Sequence, residues 1–202
     1  MSCTRTRIQQ INGLFSSQRS FGTRMYAFDS AMGFHLANLG QVTYELQPPS
    51  YTSLKLLSGP PRGGGGDTLW ASQYAAYDVL SPYMQNYLEG LTALHSAGMQ
   101  AEGSKGLSRP VRRDPVITEH PLIRTHPVTG WKSLFFNPGF VTAIIGIPKA
   151  ESNAIIRYLN EVISTTQELH VRFQWRKNDV AFWDNRITVS ETYSILPLLD
   201  FY

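Results

Sequence analysis

Leu169-His170-Val171-Arg172-Phe173-Gln174-Trp175-Arg176, then Lys177-Asn178-Asp179, then Val180-Ala181-Phe182-Trp183 is the stretch that decides the fold class. Leu169, Val171, Phe173 and Trp175 alternate with His170, Arg172, Gln174 and Arg176. A period of two sets one row of side chains on a covered face and leaves the other wet, which is the signature of a strand. Lys177-Asn178-Asp179 are turn formers, so the next strand runs over 180–183. Tyr51-Thr52-Ser53-Leu54-Lys55-Leu56-Leu57 alternates in the same way and breaks at Ser58-Gly59-Pro60-Pro61, where no regular element continues. Residues 122–126 and 132–136 flank Pro127-Val128-Thr129-Gly130, a turn sequence that predicts a hairpin.

Helices are expected in two places. Residues 70–94 read as helical: Ala75, Ala76, Val79 and Leu80 share a face, and Ser81-Pro82 supplies a cap and first-turn proline for a second helix through Tyr87, Leu88 and Leu91. Over 149–164, Ile155, Ile156, Leu159, Val162 and Ile163 recur at helical spacing and predict an amphipathic helix on a sheet. Residues 98–114, rich in Gly, Ser and Arg, read as a surface excursion. The fold class is mainly β with flanking helices.

The chain has 202 residues, 42% hydrophobic and 16% charged, enough to bury one substantial core. No run of 18 apolar residues occurs, so no membrane-spanning helix is expected. Arg5, Arg7, Arg19 and Arg24 precede the first acid, Asp29; that local +4, set against +3 for the whole chain, leaves −1 on the remainder. A nearly neutral body does not suit a nucleic-acid footprint. The Arg- and Ser-rich leader has the composition of a mitochondrial transit peptide. The lone cysteine, Cys3, points to a reducing compartment, and a cytoplasmic location is the first expectation. Residues 1–38 are expected to be a divergent, disordered basic leader, with the domain over 39–202.

Residue types alone point to little chemistry. Gly63–Gly66 lacks the lysine of a phosphate loop. His120 and His126 lie beside Pro121 and Pro127 and read as structural or solvent-facing; His95 reads as a satisfied buried histidine on a helix.

Longer strings carry more. Gly65-Gly66-Asp67-Thr68-Leu69-Trp70-Ala71-Ser72, Leu91-Thr92-Ala93 with His95, His120-Pro121-Leu122-Ile123-Arg124-Thr125-His126-Pro127-Val128-Thr129-Gly130 and Asn178-Asp179-Val180-Ala181-Phe182-Trp183-Asp184-Asn185-Arg186 closely resemble the taurine dioxygenase family of Fe(II)- and 2-oxoglutarate-dependent oxygenases, over about residues 41–190. The fungal sulfonate dioxygenase branch is nearest. The resemblance implies a double-stranded β-helix, or jelly roll. It implies an iron held by two histidines and a carboxylate, with 2-oxoglutarate decarboxylated to succinate as a carbon beside a sulfonate is hydroxylated. By the same resemblance Thr68 would help hold 2-oxoglutarate, and Phe140 and Trp183 would line the pocket of a small-molecule sulfonate.

The family's metal ligands do not carry over. Its His-x-Asp pair falls on Leu39 and Gln41, its distal histidine on Ser190, and its 2-oxoglutarate arginine near Phe201. His35 and Asp29 stand six apart in the reverse order. No metal-ligand or catalytic residue is therefore assigned, and neither Fe(II) nor 2-oxoglutarate is expected to bind tightly. The jelly roll is expected to be incomplete and truncated at its C-terminus. Two classes stay open: an oxygenase of this family, and an inactive pseudoenzyme or misspliced product. A homo-oligomer is compatible with both.

Overall fold

The computed structural model describes residues 23–29, 42–58, 67–106, 111 and 113–193. In chain order, strands β1 (Thr23–Asp29), β2 (Tyr51–Ser58) and β3 (Asp67–Ser72) lead into helices α1 (Gln73–Asp78) and α2 (Pro82–Glu89). Then come β4 (Thr92–Ser96), α3 (Gly98–Gly106), β5 (Ile117–Pro121), β6 (Ile123–Thr125), β7 (Lys132–Leu134) and β8 (Val141–Ile145). After α4 (Lys149–Thr165) follow β9 (His170–Phe173), β10 (Val180–Asp184) and β11 (Thr188–Tyr193). Strands β1-β2-β10, β11-β3-β9 and β5-β4-β8 form three sheets, and β6-β7 is a separate hairpin. Only β1 with β2 is parallel among the described pairings.

The expected strand at 51–57 is β2, whose Thr52, Leu54 and Leu56 face inward. The hairpin forms with Ile123 opposite Leu134 and Thr125 opposite Lys132. The chain then turns at Asn178, whose φ of +69° an asparagine tolerates, and passes from β9 in one sheet to β10 in another. Leu159 and Ile163 of α4 enter a core with Ala71, Leu88, Phe136 and Ile144. The buried Ser152 hydroxyl accepts the Ile144 N–H at 2.8 Å and ties α4 to β8.

Four expectations need correction. Residues 70–72 belong to β3 and 92–94 to β4, because the Ser72 hydroxyl caps α1 by accepting the Ala75 N–H and Gly90 ends α2. His95 consequently lies on a strand, where Ala93 and His95 face inward between half-buried neighbours. Residues 98–106 form α3 instead of an excursion, begun where the Ser96 hydroxyl accepts the Gly98 N–H. On β9 the apolar row covers unevenly: Phe173 and Trp175 meet Trp70, whereas Val171 stays 64% exposed because β9 is an edge strand covered at one end. Within the basic leader, residues 23–29 form β1; the rest of 1–38, the break at 59–66 and the tail from 194 onward lie outside the described residues.

Candidate functional site

Strand parity assembles one wall. On β3, Thr68 and Trp70 point to one face and Leu69 and Ala71 to the other, and register places Phe173 opposite Thr68 and Ser190 opposite Trp70. Trp70 is the hub of an aromatic cluster, with ring centres 6.0 Å from Phe173, 6.3 Å from Trp175 and 5.3 Å from Trp183. Thr68 is buried, and its hydroxyl oxygen accepts the Trp175 indole N–H at 2.9 Å. That bond occupies a lone pair and leaves the hydroxyl proton free to point elsewhere. Trp183 and Ser190 are buried on the same wall, and neither the Trp183 Nε1 nor the Ser190 Oγ has a hydrogen-bond partner.

Of the expected site residues, Thr68 and Trp183 are thus brought to one cluster. Phe140 is not shown there: it packs with Val42, Tyr44 and Ala97, its ring 4.9 Å from Tyr44 and edge-on. A cavity of about 320 Å³ opens between β3 and α4, lined by Leu69, Ala71, Ile163, His170, Val189 and Ser190 among others, so Ser190, paired with Trp70, also borders this space; Thr68, Phe140 and Trp183 do not line it. Leu39, Gln41, His35 and Phe201 lie outside the described residues, and Asp29 is the last residue of β1. Among the described residues no group of three His, Cys, Asp or Glu could hold a metal ion.

The described histidines are each hydrogen-bonded within the protein. His126 accepts the Val128 and Thr129 N–H groups at Nδ1, so its proton sits on Nε2, 3.2 Å from the Asp184 carboxylate. Arg186 grips the same carboxylate through Nε at 2.8 Å and Nη2 at 2.5 Å. Burial pulls the Asp184 carboxyl up, but hydrogen bonds from Arg186 and His126 outweigh it and hold the group below the usual carboxylate range. This network anchors the hairpin turn to the end of β10. His95 is fully buried, as expected, and burial followed by the charges of His120 and Arg124 pushes it down to about 3. Trp70, Trp175 and Tyr44 were missed by sequence reading; the apolar row at 173 and 175 was the one signal for the cluster.

Comparison with known proteins gives a consistent picture. The family model described as "Taurine catabolism dioxygenase TauD, TfdA family" matches residues 6–189. A Schizosaccharomyces pombe protein, whose name places it with the alpha-ketoglutarate-dependent sulfonate dioxygenases, is 48% identical over 157 residues, 77% of this chain and 40% of the relative. The crystal structure of a taurine dioxygenase from Burkholderia xenovorans superposes with a TM-score of 0.63 at 34% identity, covering 84% of this chain and 53% of that one. A structure of AAD-2 in complex with Mn(II) and N-oxalylglycine matches at 0.61 and 28% identity, over 75% of this chain and 59% of that one. These neighbours have the jelly-roll fold, and the strand-rich architecture here is of that type. The chain spans about two-fifths of the curated relative's length and about half of the taurine dioxygenase's.

Proposed function

The chain belongs to the taurine catabolism dioxygenase TauD, TfdA family, whose members use Fe(II) and 2-oxoglutarate, and from that premise we propose that it carries the scaffold of a sulfonate dioxygenase in a form that holds no iron and oxidises nothing. The observation that carries the reading is Ser190. Its neutral hydroxyl stands on the Trp70 face, buried and without a partner, at the position the family resemblance assigns to the distal histidine. A serine hydroxyl is a far weaker Fe(II) donor than an imidazole. Leu39 has no lone pair, and Gln41 offers a neutral carbonyl with no charge to set against a dication. These residues do not fit the ion, so no chemical step is routed through it.

The cosubstrate side is better kept. Thr68 keeps its hydroxyl oriented by Trp175, which suits donation to a carboxylate, and the aromatic wall of Trp70 and Trp183 suits an alkyl chain. The interior then binds a small alkylsulfonate without turning it over.

Turnover tests this reading. With 2-oxoglutarate, oxygen, added Fe(II) and taurine, the full chain is expected to form succinate no faster than the protein-free control. The triple variant L39H/Q41D/S190H, which returns the three donors, is expected to exceed that control. Iron-dependent succinate formation by the unaltered chain overturns the proposal.

A further inference from the structure

Across the sheet β9-β3-β11 one row of side chains runs His170, Ala71, Val189, with the smallest of the three at the centre. Two bonds fix α4 against the sheets: His170 Nε2 donates to the Ile163 carbonyl at 2.6 Å, and the Ser152 hydroxyl accepts the Ile144 N–H. The cavity of about 320 Å³ lies where Ala71 leaves this row low beneath the helix. Ala71, Ile163 and Val189 are its buried floor, and Pro138 and Ser164, both exposed, mark its mouth.

The lining selects a chemistry. No Lys, Arg, Asp or Glu borders the space, so a carboxylate, sulfonate or ammonium entering it would shed water with no counter-charge in return. The donors on the helix and on β9 are engaged: the Ser164 hydroxyl donates to the Asn160 carbonyl at 2.8 Å, and the His170 Nε2–H to Ile163. Asn160 Oδ1 is different. It is buried and has no hydrogen-bond partner among the described residues. A buried acceptor left in that state costs free energy, which a ligand bringing an O–H recovers.

We propose that this cavity binds a compact neutral alcohol, with the hydrocarbon body on Leu69, Ala71, Ile163 and Val189 and the hydroxyl donating to Asn160 Oδ1. An apolar cavity of about 150 Å³ admits one benzene, so roughly twice that volume suits a saturated body of about ten carbons. Thr68 and Trp183 do not line the space, and the proposal is independent of what the Trp70 face binds and of any iron.

Menthol, a cyclic alcohol of this size, is the probe, and its methyl ether keeps the hydrocarbon body but loses the donor. Calorimetric titration of the full chain is expected to show one saturable menthol site per chain, with the ether about fivefold weaker, the factor that one net hydrogen bond supplies. Asn160→Leu removes the acceptor at similar volume and places a better helix former on α4. It is expected to weaken menthol about fivefold and to leave the ether unchanged. Methyl NMR of the unaltered chain locates the site without a variant: the Leu69, Ile163 and Val189 signals are expected to move with menthol while Leu54 of β2 stays. Absence of saturable uptake, equal affinity for menthol and its ether, an unchanged menthol affinity in Asn160→Leu, or shifts at Leu54 in place of the cavity methyls overturns the proposal.

Discussion

Thr68 and Trp175 stand far apart in sequence, and one bond joins them across two strands. Thr68→Val keeps the side-chain volume but removes the acceptor, leaving the Trp175 indole N–H in a part-buried site without its partner. The expected cost is about 1 kcal/mol of unfolding free energy, read from the denaturant midpoint, with Thr68→Ser close to the unaltered protein. Equal midpoints for Val and Ser would remove this bond from the account. At this scale the sequence is legible where a residue's type constrains its surroundings. A histidine in an apolar stretch reads as buried, and His95 is. Its strand setting was missed because Thr92-Ala93-Leu94-His95-Ser96 is too short an alternation to stand out beside a helical pattern.

Helix α4 was readable because 17 residues sustain one apolar stripe. Its attachment was not, because it depends on Ser152, a small polar residue that periodicity treats as surface. Ser152 is buried and accepts the Ile144 N–H from β8. Ser152→Ala leaves that buried N–H orphaned, and about 2 kcal/mol of stability should go with it; Ser164→Ala on the exposed side of the same helix should cost under about 0.5 kcal/mol. Thermal or chemical denaturation of the two variants separates them. Similar costs would mean that α4 is held by its apolar stripe alone. The elements misread along 70–94 share one cause. Ser72, Ser81-Pro82 and Gly90 are punctuation, and only Ser81-Pro82 was read as a boundary, because apolar spacing runs on past Ser72 and Gly90.

For the molecule as a whole, β2, β6, β7, β9 and β10 were visible as strands while parts of β3 and β4 read as helix, and the grouping into separate sheets was not visible, since alternation says which face is covered and not which strand lies alongside. The pairing of β3 with both β9 and β11 is what brings Thr68, Trp70, Trp175 and Ser190 to one wall. Family resemblance supplied the jelly roll and the candidates Thr68, Phe140 and Trp183; the geometry added Trp70 and Trp175 around Thr68 and placed Phe140 in another cluster. The same resemblance defines the positions at which Leu39, Gln41 and Ser190 stand in place of donors. The central claim, a dioxygenase scaffold without its metal, is tested most directly by anaerobic titration of the full chain with Fe(II) at neutral pH. The account predicts no stoichiometric uptake. One tightly held iron per chain would contradict it.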